Sequence, residues 1–369
     1  MFNIYLMDKF LLASIRAELH GVPEYAHKEE RTASIIEKYL MECSPDELYT
    51  NVGGNGIIAG FKGKDEGESL MFRCEMDAVP TENGPVHLCG HDGHMAILLG
   101  LAYILKEERE FSGKVWLFFQ PAEEVGEGAS KMVAELSRFR INFDYAFALH
   151  NKPGMTANSI IIYNNVYAAS SVGMELNFSG SASHAAYPEQ AANPTFIILE
   201  TVEEIKRMNS QKELFSDFVL GTVVNVHIGD ANYGVTPGYG TLRVTLRAYN
   251  EMDLNAFYKR IESFATERCE KASLNIDITQ HDRFPATINN AFATNKVIEA
   301  AQRLNLELKY SDSPERGSED FAHFASIAKA CFFDVGNGFD GDDIHRDGYK
   351  FNDEIINTSV ELYRAIIYK

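Results

Sequence analysis

The sequence predicts an α/β protein in which helices sandwich a mixed, mostly parallel sheet, with a two-layer βαββαβ unit inserted into it. Two observations favour this class. Over about the first 165 residues, short apolar runs alternate with amphipathic helical stretches, as in a mostly parallel sheet covered on both faces. From about Ser170, amphipathic strands and two helices follow in the order βαββαβ, which typically forms a self-contained unit with an antiparallel sheet.

The first part of the larger domain is expected over residues 1–167. Helical periodicity predicts helices over residues 8–20, where Gly21 follows, and from residue 28 to about 40. The glycine-rich residues 53–56 predict a turn, since neither a Gly-Lys-Ser/Thr motif nor a helix follows to make a phosphate loop. Beyond it, the runs GIIAGF, SLMFRC, KVWLFF and YAFALH predict strands, separated by the helical stretches HMAILLGLAYILKEE and GASKMVAELSRF.

The inserted unit is expected over residues 168–286, and the larger domain resumes over residues 287–369. Strands are predicted at VGMELNFSG, DFVLGTVVNVHIG, TLRVTLRAY, LNIDIT and, after the insertion, ACFFDV. Helices are predicted over residues 192–208, 253–271, 295–303 and 318–328 and from residue 352. An insertion of this kind makes the cleft between the two domains the expected ligand site.

The composition of the chain limits which partners and which cellular compartment are expected. The chain has 34 Lys and Arg against 53 Asp and Glu, and the resulting charge of −19 repels nucleic acids and anionic membranes. Five widely spaced cysteines form no disulfide framework and predict a reducing compartment. The first residues lack the features of a secretory signal, and Asp8, Lys9 and Arg16 interrupt their apolar run, so we expect a cytoplasmic protein.

Potential metal ligands stand at the ends of several predicted strands or in loops. In CGHDGH, Cys89 and His91 are two positions apart, so both can reach one metal region, whereas His94 begins the next helix and is expected to support the loop. Glu123 and Glu124 follow the strand KVWLFF, where one carboxylate could bind a metal while the other acts as a base.

Two histidines complete this set. His150 ends FALH, and His345 lies just ahead of the last helix. Each residue alone has an ordinary structural explanation: a buried thiol, a solvated acidic loop or a structural histidine. Their joint occurrence at successive strand and loop ends favours a metal site.

These motifs resemble the aminoacylase and carboxypeptidase family of co-catalytic metallohydrolases, in particular the branch of hippurate hydrolases and auxin-conjugate hydrolases. The matching segments run in family order and include LHGVPEYAHKEERTA, RCEMDAVP, HLCGHDGHMAILLGLA, FFQPAEEVGEGA, FALHN, SGSASHAAYPEQAANP, TLRVTLRAY, SEDFAHF and IHRDGYKFND. The resemblance implies a catalytic domain with two metals, a lid domain that also forms a homodimer, and hydrolysis of an N-acyl amino acid or a short peptide.

The resemblance also assigns roles to single residues. The implied metal ligands are Cys89, His91, Glu124, His150 and His345. Glu123 would be the general base for attack by a metal-bound hydroxide, and Asp77 would orient a ligand. His184 of the lid would reach the substrate carbonyl, in the partner subunit's site, and Arg247 would bind the substrate carboxylate. The two ions are expected to be manganese or zinc, with cobalt or nickel as alternatives.

Three departures from the family pattern bear on these roles. The loop before HLCGHDGH is shorter than usual, and Glu75 stands where the family commonly has Asp. Asn232 lies five residues before Pro237, with Gly234 where the lid asparagine is usual, so Asn232 is the weaker candidate for the carbonyl contact. Three other functions stay open: a non-catalytic metal-binding or assembly protein, a dipeptidase or carboxypeptidase, and a thiol enzyme that uses Cys89.

Overall fold

The computed structural model describes residues 9–368, which form two compact units. The first unit contains the described residues up to 167 together with 287–314 and 320–368, and the second contains 168–286 and 315–319. Residue 8, at the start of the first predicted helix, lies outside the described residues.

The helices follow the amphipathic stretches of the sequence, with ends that differ by a few residues. They are α1 (Lys9–His20), α2 (Glu30–Cys43), α3 (His91–Glu107), α4 (Gly128–Phe139), α5 (Thr195–Ser210), α6 (Glu251–Lys271), α7 (Ala291–Arg303), α8 (Ala322–Ala325) and α9 (Glu354–Ile367). Side chains of Asn250 and Asn290 accept hydrogen bonds at the starts of α6 and α7, which explains why both helices begin before their apolar periodicity does. Among the described residues, no helix is both long and apolar enough to cross a bilayer.

The strands include all the predicted ones and several short additional ones. They are β1 (Glu47–Val52), β2 (Gly56–Lys62), β3 (Asp65–Glu75), β4 (Val79–Thr81), β5 (Gly84–Val86), β6 (Ser112–Gln120), β7 (Tyr145–Pro153), β8 (Ile160–Ile162), β9 (Val166–Ala168), β10 (Ser170–Ser179), β11 (Val219–Ile228), β12 (Tyr239–Ala248), β13 (Asn275–Phe284), β14 (Thr287–Ile288), β15 (Leu308–Tyr310) and β16 (Lys329–Gly338). The predicted turn at residues 53–56 joins β1 to β2.

The first unit contains an eight-stranded sheet in the order β1-β2-β6-β3-β7-β16-β8-β15. Neighbours from β6 to β16 are parallel, and the antiparallel pairs lie toward the edges. Phe72, Phe119 and Phe333 are buried on the face that packs with α1, α2, α3, α7 and α9, while α4 and α8 pack on strands from the other face. The mixed, mostly parallel sheet between helices is therefore confirmed, and it brings the carboxyl ends of its parallel strands to one edge.

The second unit has a four-stranded antiparallel sheet in the order β11-β12-β10-β13, with α5 and α6 packed against it. In β12, buried Leu242, Val244 and Leu246 alternate with more exposed residues, because one face of the sheet is covered by the helices and the other is not. The chain order β10, α5, β11, β12, α6, β13 confirms the βαββαβ unit.

The prediction of a long helix over residues 318–328 is wrong, since only α8 forms there. The reason is Asp320, whose buried carboxylate accepts hydrogen bonds from Arg73 Nη2 at 2.8 Å, Gln120 Nε2 at 2.7 Å and Ala129 N at 3.0 Å. These tertiary bonds determine the path of the backbone before α8, against the local preference for a helix.

Candidate metal centre

The loop before α3 places Cys89 beside His91. Gly90 between them has a φ of 92°, in the left-handed region that glycine adopts without strain. A Cβ atom at this position would also clash with Asn151 Nδ2 and the Tyr349 hydroxyl. The glycine therefore allows the chain to turn sharply against two neighbouring segments, which keeps Cys89 and the first residue of α3 on the same side.

Cys89 Sγ lies among the predicted ligands from distant parts of the chain. It is 3.3 Å from His150 Nε2 and 3.3 Å from His345 Nε2. Glu124 Oε1 lies 3.5 Å from His345 Nε2 and 3.9 Å from His91 Nε2. The structure thus brings all five predicted metal ligands together in the first unit.

The five side chains form two overlapping groups. Cys89, His91 and His150 make one group, and Cys89, Glu124 and His345 make the other, with the ligand atoms of each group within 4.8 Å of one another. Cys89 is common to both groups. The thiol is therefore placed where it could serve two adjacent positive charges at once.

The histidines are oriented by hydrogen bonds on the side away from this centre. His91 Nδ1 lies 2.9 Å from the backbone oxygen of Asp77, and His150 Nδ1 lies 2.8 Å from that of Asn151. Because a carbonyl oxygen only accepts, each Nδ1 carries the proton and each Nε2 is left as the acceptor. Both Nε2 atoms are available as ligand atoms in this tautomer.

The loop after β6 holds the two adjacent carboxylates. Glu123 N donates to Asp77 Oδ1 at 3.0 Å, and Glu124 N donates to Asp77 Oδ2 at 3.0 Å. Glu123 Oε2 lies 3.8 Å from His91 Nε2, so Glu123 is adjacent to the centre as well. Asp77 therefore acts at two points: its backbone oxygen orients His91, and its carboxylate holds both glutamates.

Burial determines the charges of this centre. It lowers the pKa of His91 to about 3 and lowers those of His150 and His345, which keeps the imidazoles in the neutral, metal-binding form. Burial, together with the nearby Asp77, raises the pKa of Glu124 to about 8. Burial likewise raises the pKa of Asp77 to about 7, and Glu29 adds to the increase. The raised pKa values of Glu124 and Asp77 therefore show that few positively charged side chains lie near these two carboxylates.

The predicted substrate-binding residues belong to the second unit. His184 and Asn232 are exposed, and their segments pair through a hydrogen bond of 2.9 Å from Ala185 N to Gly234 O. Arg247 is half-buried near the end of β12, where its Nη1 donates to Arg316 O at 3.0 Å and to Ser318 Oγ at 2.8 Å.

These residues lie at opposite ends of the antiparallel sheet. The segment with Asn232 leads into the first residue of β12, Tyr239, and Arg247 lies eight positions further along the strand. At about 3.4 Å per residue, that part of β12 spans about 27 Å. Within one chain, His184 and Arg247 are therefore too far apart to contact the same small substrate.

A comparison with known sequence families decides the affiliation. The profile described as peptidase family M20/M25/M40 matches residues 71–369, which is most of the chain. The protein belongs to this family. As a member of the M20 family, it is a metal-dependent hydrolase of amide bonds.

Relatives with assigned activities cover almost the whole chain. The N-acetyl-L-cysteine deacetylase of Bacillus subtilis is 28% identical over 381 residues, covering 98% of this chain and 89% of its own. The hippurate hydrolase of Campylobacter jejuni is 26% identical over 368 residues, covering 96% and 95%. The IAA-amino acid hydrolase ILR1-like 2 of Arabidopsis thaliana is 29% identical over 376 residues, covering 96% and 84%. The predicted resemblance to this branch is confirmed.

A solved structure supports the fold. The YXEP protein of Bacillus subtilis, described as a dinuclear metal-binding peptidase of the M20 family, aligns with a TM-score of 0.82 at 23% identity. The alignment covers 97% of each chain.

The structure also explains two features of this M20 chain outside the ligand set. His94 Nδ1 lies 2.8 Å from Glu75 Oε2, and His94 Nε2 accepts from Asn151 N at 3.1 Å. Both ring nitrogens are thus engaged, and His94 supports the loop, as the sequence predicts. Glu75, the departure from the usual Asp, is the partner that orients this ring, and it also pairs with buried Arg73.

Two supporting residues of the M20 site are not predicted from the sequence. Asn151 Nδ2 donates to Cys89 O at 2.7 Å, and its position next to His150 is the only signal for this role. Glu29 is buried and accepts a hydrogen bond from Ala122 N at 2.9 Å. It lies in the polar run HKEER of a segment that matches the family, but the residue types of this run do not distinguish it from a solvated carboxylate.

Proposed function

We propose that this protein hydrolyses the amide bond of N-acyl amino acids or short peptides with two divalent metal ions. The proposed ligands are Cys89, His91, Glu124, His150 and His345. The observation that supports the proposal most is the pair of overlapping ligand groups that share Cys89. The description of the similar Bacillus structure as dinuclear agrees with two ions.

The donor atoms fit such ions. His91 Nε2 and Glu124 Oε1 are buried, and neither has a hydrogen-bond partner among the described residues. Unpaired buried polar atoms are costly, at about 1–3 kcal/mol each, so their side-by-side placement supports the proposal that a cation binds both. A thiolate, imidazoles and a carboxylate suit zinc, and manganese and cobalt are also compatible with the nitrogen and oxygen donors.

Glu123 is the proposed general base. Its backbone N–H is fixed on Asp77, and its carboxylate lies beside the centre, where it also groups with His91 and Glu124. Divalent ions bound there would supply Lewis-acid activation of water and of the amide carbonyl. Glu123 takes the proton of the attacking water on its carboxylate and delivers it to the leaving nitrogen, which would otherwise depart poorly.

The substrate proposal comes from the relatives and from the second unit. The three relatives are described as acting on N-acetyl-cysteine, hippurate and IAA-amino acids, and each of these joins an acyl group to an amino acid through an amide. Arg247 offers a planar fork of donors that suits a carboxylate. His184 is proposed to contact the substrate carbonyl, with Asn232 as a weaker second candidate.

A homodimer is part of this proposal. Since about 27 Å of β12 separates the His184 end of the sheet from Arg247, one chain cannot place both residues on one small substrate. A second copy of the chain can supply the missing residue. We therefore propose that His184 acts on the substrate bound by the partner subunit.

A hydrolysis screen tests the proposed function. The protein, loaded with manganese, zinc or cobalt, is assayed on N-acetyl and N-benzoyl amino acids and on dipeptides. We expect turnover of at least one N-acyl class that is lost on chelation and restored by metal. A protein that binds two ions tightly and is inert on the whole panel would instead support the non-catalytic alternative, whereas turnover of the dipeptides alone would restrict the proposed substrates to short peptides and support dipeptidase specificity.

A further inference from the structure

A strained turn carries the two adjacent glutamates. Ala122, directly before Glu123, has a φ of 52° and is completely buried. This left-handed conformation costs a residue with a Cβ roughly 1–2 kcal/mol relative to the usual regions. Something in the surrounding structure must therefore hold Ala122 in place.

Three consecutive backbone amides in this turn donate to buried carboxylates. Glu123 N and Glu124 N donate to Asp77, and Ala122 N donates to Glu29 Oε1 at 2.9 Å. On the other side of the turn, Ala122 O accepts from the amides of residues 127 and 128. The Ala122 peptide groups are thus fixed at both ends, and Glu29 is the partner of the strained residue.

Glu29 is itself held in place by its own segment and by one other. Its Oε1 also accepts from His27 N at 2.9 Å, and its Oε2 accepts from Asn55 Nδ2 at 3.0 Å. It directly precedes α2, but its side chain makes no capping bond to that helix. A buried carboxylate that caps no helix and joins its own segment to Asn55 is rigid enough to determine the conformation of a residue in a third segment, Ala122.

We propose that Glu29 is a positioning residue of the hydrolytic site, which holds Ala122 in the left-handed conformation and thereby sets the directions of Glu123 and Glu124. Without this bond, Ala122 relaxes toward the usual backbone regions, and the rotation moves both carboxylates. The role in hydrolysis rests on the proposed function, in which one carboxylate is the base and the other a metal ligand.

The test pairs loss of the bond with relief of the strain. Glu29→Ala removes the acceptor, and Ala122→Gly removes the conformational penalty, so the double variant should regain the turn without the bond. Arg140→Gly is the matched control. Arg140 has a φ of 55° at the exposed end of α4, so glycine there removes a similar conformational penalty at a position away from the site.

Two measurements do not depend on turnover. Hydrogen exchange of the Glu123 and Glu124 amides is followed in the metal-free protein, where their acceptor Asp77 is intact in every variant. Cobalt affinity is followed by the thiolate-to-cobalt absorption. We expect Glu29→Ala to speed this exchange and to weaken cobalt binding, each about 10-fold. Adding Ala122→Gly should restore most of the slow exchange and most of the cobalt affinity. Adding Arg140→Gly should restore stability to urea but neither the exchange rate nor the cobalt affinity.

The outcomes separate the two proposals. Unchanged exchange in Glu29→Ala, or equal rescue by both glycine variants, would overturn the positioning role. A parent protein without the cobalt–thiolate absorption would overturn the proposed metal function instead. If Glu29→Ala does not fold, the set is built on Glu29→Gln, in which one oxygen is replaced by an amide nitrogen. Glu29→Gln is expected to change amide exchange and cobalt affinity about threefold, and Ala122→Gly but not Arg140→Gly should reverse these changes. Reversal by both glycine variants, or by neither, would overturn the positioning role.

Discussion

The candidate residues of the two units are arranged in opposite ways. In the first unit, side chains from a loop, α3, the turn after β6, β7 and the segment before α9 converge on Cys89 Sγ. In the second unit, His184 and Arg247 lie at opposite ends of one sheet, about 27 Å apart along β12. One chain thus completes the proposed metal site but not the proposed substrate contacts.

The hydrogen bonds that hold the candidate residues in place also differ between the two units. Buried hydrogen bonds to Asp77 and Glu29 and from Asn151 fix the ligands or the loops that carry them, so these groups are already ordered when the chain folds. His184 is exposed, and its Nδ1 accepts a local bond of 3.1 Å from Ala186 N. The comparison predicts that variants of the first unit damage chemistry or metal binding, whereas those of the second unit damage substrate contacts.

The largest effect is expected for Glu123→Gln. An amide cannot take the proton, so kcat should fall about 1000-fold. The bond from the residue 123 amide to Asp77 is kept, so metal content should stay that of the parent. Steady-state kinetics and metal analysis measure both. Glu127→Gln, an exposed carboxylate of the same loop, is the control and should keep the parent rate. Loss of metal, or more than about a tenth of the rate, would show that Glu123 is not the base.

Cys89→Ala should lower metal affinity and activity together. A thiolate common to both ligand groups has no replacement among its neighbours, so the affinity should fall at least about 100-fold. Equilibrium dialysis measures the affinity. Cys269→Ala removes a buried thiol of the second unit and is the control, which should lose about 1 kcal/mol of stability and keep its metal. Unchanged metal content in Cys89→Ala would show that Cys89 is not a metal ligand and has only a structural role.

Mixed dimers test whether the second unit acts across subunits. His184→Ala removes a contact to the carbonyl and should lower the rate about 100-fold, and Glu123→Gln chains are nearly inactive as well. If His184 serves the partner subunit, a mixed dimer contains one intact site, and activity should recover to about half of the parent. Continued inactivity despite demonstrated exchange of subunits would place His184 in its own chain's site and leave the metal chemistry untouched.

The smallest effect is expected for Arg247→Ala. Loss of charge-assisted hydrogen bonds to the substrate carboxylate should raise KM about 10-fold with a smaller change in kcat. Arg247→Lys should recover only part of this, because an ammonium cannot replace the planar fork. Arg243→Ala, on the same face of β12 and paired with Glu175, is the control and should leave KM unchanged. An unchanged KM for Arg247→Ala would remove Arg247 from the substrate site.

Much of the fold follows from local patterns, and the exceptions have physical reasons. The long apolar strands β3, β6, β7 and β16 are visible in the sequence because both faces of a parallel sheet are buried. The strands β8 and β15 have three residues each, too few to show a periodicity. Residues 315–319 join the second unit through hydrogen bonds from Ala169 N and Arg247, which no local pattern encodes.

The residues of the candidate site also fall into those that local sequence motifs predict and those that only tertiary contacts identify. Its ligand candidates can be predicted because cysteine, histidine and paired glutamates stand at strand and loop ends in recognisable motifs. The supporting residues Asn151 and Glu29 cannot be predicted in this way, because their burial and not their residue type distinguishes them. Glu29 resembles its solvated neighbour Glu30, and only tertiary contacts to Asn55 and Ala122 distinguish the two.

The close packing around the CGHDGH glycines limits how this enzyme can evolve. A side chain at Gly90 would clash with Asn151 and Tyr349, and one at Gly93 would enter the Phe351 ring, so single mutations cannot diversify the loop. The short hairpin of β4 and β5 is different, since residues 80–86 are exposed or half-buried. Random mutagenesis should therefore yield active variants with changes at residues 80–86 far more often than at the buried residues 89–94, where nearly every change should inactivate.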